Sequence, residues 1–255
     1  MSANGKIDVS ELASSHEHVA SAIKTELVMA NKILLRHGIV DAFGHVSARH
    51  PVYADRFLMS RRIAPGLVFA DDIREFGLDG ELLEGDGTPV YLERFIHSEI
   101  YAARPDVQAV VHSHSPTIVA FGVVDQPLRP VCHTCGFLNG GVPVFEIRQS
   151  AGHASNLMID SAARGRALAQ SLADESVILM RGHGSTAVGS SISRAVYRAI
   201  YTETNAKIQS ASTLLGNVNY LTPEEAAAAE ELGDAQVERT WEFWKMQIQN
   251  DHRSI

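Results

Sequence analysis

Four residues of this 255-residue chain carry the types and spacing of metal-assisted chemistry: His112, His114, His183 and Glu93. The first two lie in Val107-Gln108-Ala109-Val110-Val111-His112-Ser113-His114-Ser115-Pro116, whose apolar run reads as a buried strand. Side chains two apart on a strand share a face, so His112 and His114 point the same way, and Pro116 stops the strand from continuing. Two imidazoles at a strand end can offer two nitrogens to one metal ion; the alternative is a pair of hydrogen-bonded histidines. His183, in Met180-Arg181-Gly182-His183-Gly184, supplies a third imidazole. Three imidazoles with an open position suit a catalytic divalent metal. Glu93, one turn before His97, could reach the same pocket as a general acid/base, against the alternative of an exposed helix carboxylate.

The elements that must position these groups follow from periodicity. Val19, Ile23, Ala30, Ile33 and Leu34 recur at helical spacing from about Ser10 to His37, with Gly38 after the last turn. Phe43 to His50 and Arg56 to Ser60 read as short strands, and Asp79-Gly80 as a hairpin turn between Ile73 to Leu78 and Leu82 to Leu83. Thr88-Pro89 has the form of a helix start, giving a helix with Glu93, His97 and Tyr101 along one side that leads through Arg104-Pro105-Asp106 into the histidine strand. Further strands are expected at about Leu128 to His133, Val142 to Glu146 and Val177 to Met180, the last delivering His183 between two glycines. Helices are expected from Asp160 to Leu172, from Ile192 to Leu215 behind Ser190 or Ser191, after Thr222-Pro223-Glu224-Glu225, and from Gln236 to Ile248. The last carries Trp241 and Trp244 on one side, for docking on its own core or on a neighbouring subunit. The count is eight or nine strands with several helices, an α/β layered fold in one domain over residues 1–255.

Composition narrows the partners. Charged residues number 22 basic and 30 acidic, a net −8, and 45% of residues are hydrophobic, so there is no basic footprint for nucleic acid. No apolar run approaches a membrane span, and Met1 to Glu11 lacks the apolar core of a signal peptide, which points to a cytoplasmic protein. The two cysteines, Cys132 and Cys135, read as reduced thiols near a strand rather than as structural zinc ligands or a redox pair.

The runs Glu93-Arg94-Phe95-Ile96-His97, Tyr101, Arg104-Pro105-Asp106-Val107, Ala109-Val110-Val111-His112-Ser113-His114 and Arg181-Gly182-His183-Gly184 together resemble the class II aldolase/adducin family in order and spacing, over most of the chain from the first helix through Pro223. That resemblance implies a layered α/β/α domain around a central, mainly antiparallel sheet, usually assembled as a ring-shaped homotetramer with sites at subunit interfaces. It implies His112, His114 and His183 as metal ligands and Glu93 as the acid/base; His97 matches a recurrent position near the site and is read as structural. Zinc, manganese, iron or cobalt would suit such ligands.

The departures indicate a branch. Where sugar-phosphate aldolases of the family carry a Gly-Asn stretch and a small Ser-Gly loop for the substrate phosphate, this chain has Gly44-His45-Val46-Ser47 and Met59-Ser60-Arg61-Arg62. Arginine in place of glycine fills a phosphate cradle with guanidinium and suits a planar carboxylate instead. The text from Phe57 to Pro65 and from Tyr91 to His97 is more similar to the aromatic-acid decarboxylases, such as hydroxy-methylpyridine-dicarboxylate and dihydroxyphthalate decarboxylases. The resemblance thus implies a small-molecule aromatic carboxylate substrate, with Ser60, Arg61, Arg62, His45 and Tyr220 as candidate contacts. The other readings are an aldolase acting on a non-phosphorylated hydroxy-ketone and a non-enzymatic assembly module like the adducin head. The last leads one to expect lost ligands, yet all are present.

Overall fold

The computed structural model describes residues 9–84 and 87–251. The reading of Met1 to Glu11 as lacking a signal peptide falls mostly outside them. Helix α1 (Val9–Arg36) leads into strands β1 (His45–Arg49), β2 (Arg56–Ser60) and β3 (Ile73–Gly77). Helix α2 (Arg94–Ala103) precedes β4 (Ala109–Ser113), followed by α3 (Pro116–Phe121), β5 (Val144–Phe145), α4 (Arg148–Ala151) and α5 (Ala162–Leu172). Strands β6 (Val177–Met180) and β7 (Gly184–Gly189) then lead to helices α6 (Ile192–Leu215), α7 (Pro223–Glu231) and α8 (Gly233–Asp251).

The seven strands form one sheet in the order β3-β2-β1-β4-β7-β6-β5, antiparallel throughout except for the β5–β6 pair. Alternation along each strand divides the core in two. Ala109 and Val111 of β4, Val177 and Leu179 of β6, and Ala187 of β7 join α1, α6 and α8 on one face. Val110, Ile178, Met180 and Val188 join α2 and α5 on the other. This is the expected layered α/β/α arrangement. On the second face β1 is polar: His45 and Ser47 are buried there because α2 supplies hydrogen-bond partners. Trp241 and Trp244 pack within the chain, Trp241 Nε1 donating to Glu26 on α1 and Trp244 lying beside His37. Among the described residues no helix is long and apolar enough to cross a membrane.

Several expected elements are displaced. Leu128 to His133 is not a strand. The amide of Asn205 on α6 pairs with the backbone of Val131 and Arg129, and that of Gln209 with Arg129 and Pro127, so helix side chains satisfy this segment in place of a sheet partner. Cys132 and Cys135 consequently lie at a 3-10 turn over His133–Leu138, as free thiols with sulfurs 3.2 Å apart. Val142 to Glu146 contracts to the two residues of β5. Strand β7, Gly-Ser-Thr-Ala-Val-Gly, was not expected because its small residues carry little strand signal. Among the described residues the strands number seven, not eight or nine. Helix α2 starts at Arg94 and not at Thr88-Pro89, because the Pro89 carbonyl accepts the Arg62 backbone N–H. Helices α3 and α4 carried no expectation.

Candidate metal centre

Side chains from three separate parts of the chain meet at the end of β4. His112 is in register opposite His45 on β1 and Thr186 on β7. His114 follows one residue past the strand end. His183 comes from the turn joining β6 to β7, where Gly182 takes a φ of +66°, a conformation that suits glycine. Gly184 is required for a different reason: a Cβ there would lie 2.0 Å from the Ser113 carbonyl oxygen, so only glycine lets β7 approach β4 at this point. Glu93 occupies the cap position of α2, yet its side chain caps nothing. Its Oε1 instead accepts the Ile159 N–H at 3.2 Å, bracing the carboxylate against the imidazoles.

The geometry fits a cation. One ligand atom from each of Glu93, His112, His114 and His183 lies within 4.8 Å of all the others. His112 Nε2 is 3.0 Å from His114 Nε2 and 3.6 Å from Glu93 Oε2, and His183 Nε2 is 3.5 Å from Glu93 Oε1. Two nitrogens each about 2.0–2.1 Å from a shared ion stand roughly 2.8–3.4 Å apart at right-angled to tetrahedral openings. His112 Nδ1 lies 3.0 Å from the Ser185 carbonyl, to which it can only donate, so Nε2 keeps its lone pair for a ligand bond. His183 Nδ1 is buried with no hydrogen-bond partner among the described residues, which leaves the tautomer of that ring to be set at Nε2. Glu93 and His112 are buried while His114 and His183 are half-buried, so access to the cluster is from the side of the latter two.

Electrostatics favour the ligand form. Burial, followed by the charges of neighbouring imidazoles, pushes His112 well below its ordinary value, and His114 is lowered by burial and then His183. Neutral imidazole is the state that binds a metal. Burial pushes the Glu93 carboxyl up, but the hydrogen bond and charge of His183, the charge of His45 and the Ile159 N–H outweigh it and hold the group below its usual value. A carboxylate beside the neutral imidazoles of His112 and His114, with His183 offering a third ring nitrogen, is a suitable donor set for a divalent ion.

The other expected residues divide. His45 is buried, its ring 5.0 Å from that of His112. Tyr91, which sequence reasoning did not single out, connects His45 to the arginine loop: its ring is 4.7 Å from His45 and its hydroxyl bonds the Ile63 backbone and Ser60. Ser60 is buried at the end of β2. Arg61 Nε donates to Asp72 at 2.6 Å, so this guanidinium is already partly neutralised, whereas Arg62 is exposed. Tyr220 stands apart: its hydroxyl accepts from Gln126 and Gln209, and its ring lies under the Arg129 guanidinium, contacts that include no member of the histidine cluster.

The family described as Class II Aldolase and Adducin N-terminal domain matches residues 25–210. The chain is 39% identical over 240 residues to Decarboxylase tropJ of Talaromyces stipitatus, covering 85% of this chain and 90% of that protein. It is 30% identical over 207 residues to a 3,4-dihydroxyphthalate decarboxylase of Arthrobacter keyseri, covering 74% of this chain and 78% of the other. In structure it is similar to an aldolase II superfamily protein of Pseudomonas syringae, with a TM-score of 0.75 and 24% identity, covering 91% and 94% of the two chains.

Proposed function

This chain belongs to the class II aldolase and adducin family, and from that premise we propose that it is a metal-dependent carboxy-lyase acting on an aromatic or heteroaromatic dicarboxylate with a hydroxyl beside the carboxylate that leaves. The observation that carries the reading is the meeting of Glu93 with three imidazoles, in a chain similar to decarboxylases over most of its length. His112, His114 and His183 would hold the ion, with zinc, manganese, iron and cobalt all compatible with the donors. A divalent cation bound there supplies a Lewis acid for the electron pair left by the breaking carbon–carbon bond.

Proton handling falls to Glu93. Because its carboxyl is held below the usual value, it starts ionised and acts first as a base, taking the proton of the substrate hydroxyl. It then delivers that proton to the ring carbon bearing the departing carboxylate. Carbon dioxide leaves with the ring's return to aromaticity, and the phenolate so formed takes a proton from water. Arg62, and the N–H groups of Arg61 not engaged by Asp72, would anchor the second carboxylate, with Ser60 and His45 as further contacts. Tyr220 enters the proposal only through a neighbouring subunit, in a homotetramer whose sites lie at its interfaces.

The test is product analysis on the purified, metal-loaded protein offered an ortho-hydroxy aromatic dicarboxylate and, separately, a sugar phosphate. Carbon dioxide release from the first, reduced at least about 100-fold in kcat by Glu93→Gln, is the expected result. Aldehyde release from the sugar phosphate or a hydroxy-ketone, with no carbon dioxide, would overturn the proposal and assign an aldolase.

A further inference from the structure

Strand β1 presents His45, Ser47 and Arg49 on one face, and helix α2 presents His97 and Tyr101 one turn apart. Two strand residues advance about 6.6–6.8 Å and four helical residues about 6 Å, so the two rows mesh. His45 Nδ1 lies 2.7 Å from His97 Nε2, and Ser47 Oγ lies 2.6 Å from His97 Nδ1 and 2.8 Å from the Tyr101 hydroxyl. Arg49 closes the row, its guanidinium 4.9 Å from the Tyr101 ring and donating to the Tyr101 carbonyl. His45, Ser47, His97 and Tyr101 are each at most 3% exposed. Of these four only His45 reaches the cluster, its ring being 5.0 Å from His112.

Proton accounting gives the chain a direction. A neutral imidazole has one N–H and one lone pair, and buried polar groups must be paired. Ser47 Oγ is the hydrogen-bond partner of the buried Tyr101 hydroxyl among the described residues, so the phenol's proton goes to it. The Ser47 proton then goes to His97 Nδ1, and the His97 Nε2–H goes to His45 Nδ1. The remaining His45 proton is therefore on Nε2, the edge turned away from His97. Running the chain the other way would aim the Ser47 proton at the phenol oxygen and leave the buried phenolic proton without an acceptor among the described residues.

We propose that Tyr101, Ser47 and His97 are positioning residues that hold His45 with its proton on Nε2, making His45 the hydrogen-bond donor for an anionic oxygen of the substrate beside the metal centre. The identity of that oxygen, a phenolate or a carboxylate, rests on the function proposed above; the tautomer does not. A fixed N–H aimed at an oxygen that gains negative charge during reaction binds it more tightly as the charge grows.

Two measurements separate the parts. Long-range proton–nitrogen NMR on zinc-loaded protein labelled at histidine nitrogens reads the tautomer without substrate: His45 is expected to be protonated at Nε2, and to lose that preference in Tyr101→Phe. A His45 protonated at Nδ1 in the wild-type protein overturns the relay, whatever the reaction proves to be. In the second, binding of an ortho-hydroxy aromatic dicarboxylate and metal content are measured on the same variants. His97→Phe should weaken binding about 10- to 100-fold at unchanged metal content, and His97→Gln, whose amide can donate to His45 Nδ1, should recover most of it. Equal weakening in both variants would reduce His97 to a packing role and contradict the proposal. If the wild-type protein does not bind the dicarboxylate while the NMR result holds, it is the proposed substrate class that fails and the relay that stands.

Discussion

The buried imidazoles make the stability of the fold depend on pH in mild acid. Burial pushes His97 down to about 3 and lowers His45 and His112 well below their ordinary values, so in the folded chain all three stay neutral in mild acid. In the unfolded chain each takes up a proton near pH 6.5. The unfolded state therefore binds more protons below that pH, and stability, fully present above about 6.5, is lost as pH falls toward the folded values. Each such histidine contributes a slope that grows from about 0.7 kcal/mol per pH unit at pH 6.5 to about 1.4 by pH 5, roughly 1.1 on average across that window. Urea unfolding between pH 6.5 and 5 should show stability falling steeply in the wild-type protein, with the slope smaller by about that amount in His97→Gln, which is no metal ligand; identical slopes would contradict the account. At this scale the candidate set of His112, His114, His183 and Glu93 could be named from residue type, from the His-x-His spacing and from the family resemblance, and the structure brings the four together. The Ser185 carbonyl and Ile159 N–H that orient His112 and Glu93 could not be named, because a backbone group leaves no mark in the residue types. His97 was visible as a residue but not as a link, since its role depends on the register between β1 and α2.

Elements place those residues through close approaches that tolerate no side chain. Gly184 sits where a Cβ would meet backbone atoms of Ser113 at 2.0 and 3.0 Å, in the pairing that sets His112 and His114 against His183. Gly184→Ala should therefore cost at least about 2 kcal/mol in chemical denaturation and weaken metal retention together, because strand separation moves the third imidazole away. Stability and metal content both matching the wild type would show that β7 is not what fixes His183. Periodicity revealed β1, β2, β4, β6 and the long helices, whose apolar patterns are strong. It failed at β7, built from small residues, and at Leu128 to His133, where apolar residues run extended but pair with the amides of Asn205 and Gln209. Local pattern cannot distinguish a sheet partner from a helix side chain 74 to 80 residues away.

For the whole molecule, the cluster of Glu93 with three imidazoles forms only because the sheet order brings distant segments together. Strand β4 lies between β1 and β7, so His45, His112 and the turn carrying His183 become neighbours although 138 residues separate the first from the last. The layered architecture was legible from the family resemblance and from alternating strands and amphipathic helices; the strand order was not, because antiparallel neighbours distant in sequence carry no local signature. The most direct test is metal content of the purified protein, by elemental analysis, beside that of His183→Ala, which removes the proposed ligand most remote in sequence. The convergence of three imidazoles predicts about one divalent ion per chain, with His183→Ala losing most of it and losing the metal-dependent rise in melting temperature. An unaltered metal content and melting temperature in His183→Ala would contradict it, leaving the fold without its centre.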